Sequence, residues 1–80
     1  MTQKRYIKLL IACGYDRNGA EYWARYAREV VNRSYRSDVE AWESMYRDMA
    51  RTAATERSRG YRLAKADTLH RALYGKVAHE

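Results

Sequence analysis

The sequence predicts an all-α protein, a small single-domain bundle of about four helices, and three observations carry that prediction. The 80 residues include no Pro and only four Gly, while Ala and Arg, both good helix formers, are abundant and Glu, Leu and Met add to them. Apolar residues recur at three- and four-residue steps in four separate stretches, which is the spacing of one helix face. Polar segments containing Gly, Asn, Asp or Ser fall between those stretches, where turns are needed. One domain, residues 1–80, is expected at this length, with a thin core that buries about 60–65% of the unfolded chain's surface.

Helix 1 is expected over about residues 3–13. Tyr6, Ile7, Leu9, Leu10 and Ile11 form an apolar run, and Gly14 follows as a left-handed C-terminal cap. The run is interrupted by Lys8 and is too short for a signal peptide or a membrane span, so an intracellular protein is expected. Cys13 is the single cysteine; it is expected as a small buried hydrophobe rather than a reactive thiol. Between Gly14 and Gly19 lie two capping residues, Asp16 and Asn18, either of which can start helix 2 over about 19–33. Ala20, Trp23, Ala27 and Val30 make its core stripe, with Ala24 and Val31 alongside and Tyr22 and Tyr26 on the flank.

Helix 3 is expected over about 38–56. Ser37 and Glu40 have the spacing of a capping box. Val39, Trp42, Tyr46, Met49 and Ala53 form a narrow seam suited to packing along a partner helix, which also allows a homodimer. The segment from Glu56 to Tyr61 contains Gly60 and is read as a break rather than as a weak point in one long helix. Helix 4 then covers about 61–75, with a stripe of Leu63, Ala66, Leu69 or His70, Leu73 and Val77. Both tryptophans, Trp23 and Trp42, are expected in the core.

Sixteen Lys and Arg stand against ten Asp and Glu, a net charge of +6 with a pI near 9.7. That balance favours nucleic acid, an acidic protein surface or an anionic membrane as partner. Each half of the chain, 1–40 and 41–80, holds eight basic and five acidic residues, so there is no separate basic tail. Twelve of the sixteen cations are Arg, which makes bidentate and stacking contacts that Lys cannot. An amphipathic membrane-surface role is disfavoured, because Arg is scattered around the helices and mixed with acids.

Tyr22, Arg25, Tyr26, Arg28, Arg33, Tyr35 and Arg36 interleave aromatic and basic side chains, and a second basic cluster comprises Arg57, Arg59, Tyr61, Arg62 and Lys65. Tyr and Arg together are the residue types of interface hot spots. Eight Tyr and no Phe point to rings that keep their hydroxyls near the surface, because a buried hydroxyl must find a partner. No arrangement of residues reads as catalytic. His70 and His79 lie near the C-terminus without zinc-site spacing, Glu40 and Glu43 are explained by the dipole of a helix start, and no strand feeds a phosphate loop. The expectation is a protein that is not an enzyme and needs no metal and no cofactor.

The stretch from Leu9 to Arg25, with Gly14 at the turn, Ala20 at the buried position and Trp23 and Arg25 behind it, resembles the helix-turn-helix of phage-repressor-type regulators. It departs from that pattern at Leu10, where a small residue is usual, and at Gly19, where a capping Ser or Thr is common. The resemblance implies a DNA-binding unit at residues 6–25 in which Arg17, Asn18 and Arg25 read bases and Arg28, Arg33 and Arg36 contact phosphates. The short, basic, Tyr- and Arg-rich helical chain is also similar in character to small early-region or accessory proteins of temperate phages of enteric bacteria. That resemblance implies residence in the cytoplasm of a bacterial host. It also implies one of two roles: regulation of DNA, or binding that inhibits or redirects a host nucleic-acid-processing or defence protein. The mixed charge map and the Tyr-rich face favour the second, with an acidic host protein as partner and DNA as the alternative.

Overall fold

The computed structural model describes residues 1–75, and the chain is all-α, as predicted. It has four helices, α1 (Gln3–Ala12), α2 (Arg17–Glu29), α3 (Tyr35–Arg51) and α4 (Glu56–Tyr74), with no strand among the described residues. Val77 and His79 lie outside the described residues. None of the described helices is long and apolar enough to cross a membrane. The chain divides into two compact units, Met1–Asp38 and the residues from Val39 onward.

In the first unit, Thr2 caps α1 by accepting the Arg5 amide at 3.2 Å. The helix ends in a Schellman motif: the Gly14 amide donates to the Ile11 carbonyl and the Tyr15 amide to the Leu10 carbonyl. That closure needs a positive φ, and Gly14 supplies it at 107°. Asp16 is the residue that caps α2, its Oδ1 accepting the Gly19 amide at 2.7 Å, so the helix starts at Arg17, two residues earlier than expected. It also ends earlier, at Glu29. Two β-branched residues, Val30 and Val31, lead into Asn32 at a φ of 56°, a conformation that Asn tolerates better than most residues.

This early end corrects the expected core. Val30 and Val31 are 67% and 41% exposed rather than buried. Trp23 is only half-buried, so the inner side of α2 consists of Ala20, Ala24 and Ala27. Alanines let α1 approach closely, and Tyr6, Leu9, Leu10 and Cys13 complete the buried set on that helix. Ile11 is exposed, contrary to its place in the predicted run.

The start of α3 is also corrected. Ser34, not Ser37, is the cap: its hydroxyl oxygen accepts the Ser37 amide at 3.2 Å, and the helix begins three residues before the expected Asp38. This shift draws Tyr35 and Asp38 into the first unit's interior. The Tyr35 ring stacks on Tyr6 with centroids 4.7 Å apart, and the Tyr6 hydroxyl donates to Asp38. Arg33 reaches the other oxygen of Asp38 at 3.4 Å.

In the second unit, α3 ends at Arg51 and the break falls at residues 52–55, not at 56–61. Thr55 accepts the Ser58 amide at 3.1 Å and caps α4, which therefore starts at Glu56. From α4, Arg62 donates to the Met49 carbonyl at 2.6 Å and so satisfies one of the open carbonyls at the end of α3. Ala50, Ala66 and Leu69 are buried. Trp42 and Tyr46 are half-buried, while Met49 and Leu63, both expected on core stripes, are exposed. A polar network joins α3 and α4: Glu43 accepts from Arg47 at 2.9 Å and lies 2.8 Å from His70 Nδ1, and Arg47 also reaches Asp67 at 3.3 Å. Glu43 is thus explained by this network rather than by the helix dipole.

Gly75 closes α4 with a φ of 78°. Gly60, by contrast, sits inside the helix and makes no turn, and a Cβ there would meet no atom within 4 Å. Gly60→Ala is expected to stabilise the protein by about 0.5–1 kcal/mol, since it removes backbone freedom from the unfolded chain at no steric cost. A denaturant melt that shifts to a lower midpoint would contradict this.

Candidate partner-binding face

On α2, Tyr22, Tyr26 and Val30 follow one another at four-residue steps and form a ridge, with Arg25 and Glu29 beside it; these five residues line a shallow groove. The alanines turn the opposite side of the helix inward, which is why the aromatic side faces solvent. Tyr22 and Tyr26 are 52% and 37% exposed, and their rings stack with centroids 6.2 Å apart. Trp23 meets both rings edge-on at 5.3 and 5.4 Å. The three rings therefore hold one another, so little rotamer freedom is left to lose when a partner covers them.

The residues proposed from the sequence for this face fall into distinct groups. Tyr22, Arg25 and Tyr26 are exposed together on α2. Arg28 is exposed but lies over the Tyr35 ring, 5.5 Å from its centroid, and Arg33 pairs with Asp38. Arg36 is exposed on the first turn of α3. Tyr35 does not belong to the surface: it is 8% exposed, stacked on Tyr6, with its hydroxyl 3.5 Å from the Ala24 carbonyl oxygen. Its i+13 spacing from Tyr22 gave no hint of this, because the burial depends on a ring twenty-nine positions earlier in the chain.

The three candidate base-reading residues all lie on one flank of α2. Arg17, Asn18 and Arg25 are exposed, but Glu21 stands midway between the two arginines and pairs with Arg17 at 3.1 Å. The second basic cluster is largely tied down within its own unit. Lys65 Nζ lies over the Tyr61 and Tyr46 rings at 5.0 and 5.9 Å, Arg59 pairs with Glu56 at 3.6 Å, and Arg62 is held by Met49. Tyr61 and Arg57 remain exposed. Among the described residues no group of three or more His, Cys, Asp or Glu is placed to hold a metal ion.

Sequence reasoning missed two arrangements. The Tyr6–Asp38 contact joins residues thirty-two positions apart, which no helical period reveals. The Glu43–Arg47 pair has the i,i+4 spacing that could have been noticed, although its extension to Asp67 and His70 is tertiary. Against known proteins, no family model matches the chain, and neither the curated proteins nor the solved structures give a significant match.

Proposed function

We propose that this chain is a small regulatory binding protein of phage type, acting on a host nucleic-acid-processing or defence protein by docking the α2 face onto an acidic surface. The observation that carries this reading is the mutually braced, solvent-exposed Tyr22–Tyr26 pair with Arg25 beside it. Tyr and Arg dominate hot spots because they cover much area for few freely rotating bonds, and the net charge of +6 steers the face toward acidic partners. The role is recognition rather than catalysis.

A DNA-binding reading is supported by the exposure of Arg17, Asn18 and Arg25 along one flank of the helix. It is weakened by Glu21, whose carboxylate lies between the arginines and already engages one of them.

Affinity capture from bacterial lysate, with and without nuclease, compares the two. A captured protein is expected to persist after nuclease treatment, and to be lost with Arg25→Glu and weakened by about tenfold or more with Tyr22→Ala or Tyr26→Ala, at unchanged helicity. Loss of the partner on nuclease treatment, together with a steep salt dependence of binding to duplex DNA, would overturn the protein-docking reading.

A further inference from the structure

The outward side of α1 carries a second surface, independent of the α2 tyrosines. The buried residues Tyr6, Leu9, Leu10 and Cys13 follow the i, i+3, i+4, i+7 pattern of one helix face. Lys4, Ile7, Lys8 and Ile11 repeat the same pattern on the opposite side. Ile7 is half-buried and Ile11 is 41% exposed. Together with Gln3 and with Arg17 at the start of α2, these residues line a groove of about 320 Å³. No carboxylate lines the groove, and neither Lys4 nor Lys8 takes part in an ion pair among the described residues. Arg17 pairs with Glu21, which lies outside it.

Ile7, half-buried, and Ile11, exposed, stand in register between three cations, so the groove joins an apolar floor to a basic rim. We propose that this groove docks an acidic amphipathic segment of a partner protein. One or two bulky apolar side chains of the segment insert between Ile7 and Ile11, and flanking Asp or Glu residues pair with Lys4 and Lys8, Arg17 being already engaged by Glu21. The groove is at the small end of the range for ligand pockets and is open on one side, which suits inserted side chains better than an enclosed small molecule. Charge complementarity selects the occupant: a second copy of this basic chain is repelled, and a phosphate backbone leaves the isoleucines uncovered. At 3.6 residues per turn, Tyr22 and Tyr26 stand roughly 140° and 180° around α2 from Arg17, so the groove does not rest on the reading of the tyrosine face.

The test uses the full chain and short synthetic peptides. One peptide carries Leu at four-residue spacing among Glu residues, a second keeps the Leu pattern among Lys, and a third has Glu without Leu. The first is expected to bind, with amide chemical-shift changes centred on Lys4, Ile7, Lys8, Ile11 and Arg17. Ile11→Asp and Lys8→Glu should each weaken binding by about tenfold or more, and Tyr22→Ala should leave it unchanged. Lys8 is exposed, so its variant remains informative even if Ile11→Asp perturbs the helix. Absence of binding, equal binding of either control peptide, shifts centred elsewhere, or displacement of the peptide by duplex DNA would overturn the proposal.

Discussion

Tyr6→Ala is expected to cost about 3–5 kcal/mol, the range for removing a large buried aromatic side chain. A chain of this length has a total stability of only about 4–12 kcal/mol, so the variant should lose at least about a quarter of its stability. Tyr6 is completely buried, stacks on Tyr35 and donates its hydroxyl to Asp38, which is itself nearly buried. The two contributions can be separated. Tyr6→Phe keeps the ring and removes the hydroxyl, leaving Asp38 short of a donor, at an expected cost of about 1–3 kcal/mol. Arg33→Ala should cost less than about 1 kcal/mol, since the Arg33 side chain is 43% exposed and its pairing is weakened by solvent. Denaturant midpoints that do not follow this order would refute the account.

The same hydroxyl gives a pH dependence of known sign. Burial first, and then the hydrogen bond to Asp38 and its charge, push Tyr6 well above the usual range for a phenol. An unfolded tyrosine ionises near pH ~10, whereas the folded protein keeps this proton. The stabilisation is therefore fully present below about pH 10 and is lost above it, at up to about 1.4 kcal/mol per pH unit. Tyr6→Phe should remove that component of the alkaline slope; parallel slopes for the two proteins would exclude it.

The second large effect is expected in the other unit. Leu69→Ala should cost about 2–5 kcal/mol, because Leu69 is completely buried and its loss leaves a cavity. Leu63→Ala, six positions earlier on the same helix, should cost much less, about 1 kcal/mol or under, because that leucine is 38% exposed. Both residues belong to the stripe predicted for helix 4, so this comparison discriminates between burial and mere periodicity. Chemical denaturation of the two variants measures it. Equal losses would mean that the stripe, and not its inner half alone, supports the unit.

The existence and order of four helices were legible because period and turn residues agree along the chain. Boundaries were harder to read where two capping residues compete. Ser34 and Ser37 both lie before the Val39 stripe, and it is the earlier one whose hydroxyl accepts the Ser37 amide, while donating to the Ser37 hydroxyl. Gly60 drew the break toward itself, although Thr55 had the hydroxyl that starts a helix and Gly60 had only the absence of a side chain. For the candidate face, Tyr22, Arg25 and Tyr26 could be grouped by local spacing alone. The fate of Tyr35 could not, since Tyr6 decides it, and the exposure of Ile11 became visible only when Leu9, Leu10 and Cys13 took the inner side of α1.

The alanine-only inner side of α2 has a consequence for variation. A helix whose buried side is three alanines makes few demands on its solvent-facing side, and substitutions at exposed positions usually change stability by no more than about 0.5 kcal/mol. Tyr22, Arg25, Tyr26, Glu29 and Val30 can therefore be exchanged together without disturbing what holds α2 in place. A library randomised at those five positions should yield mostly folded proteins with altered partners. The helix then serves as a fixed frame on which new recognition can be written.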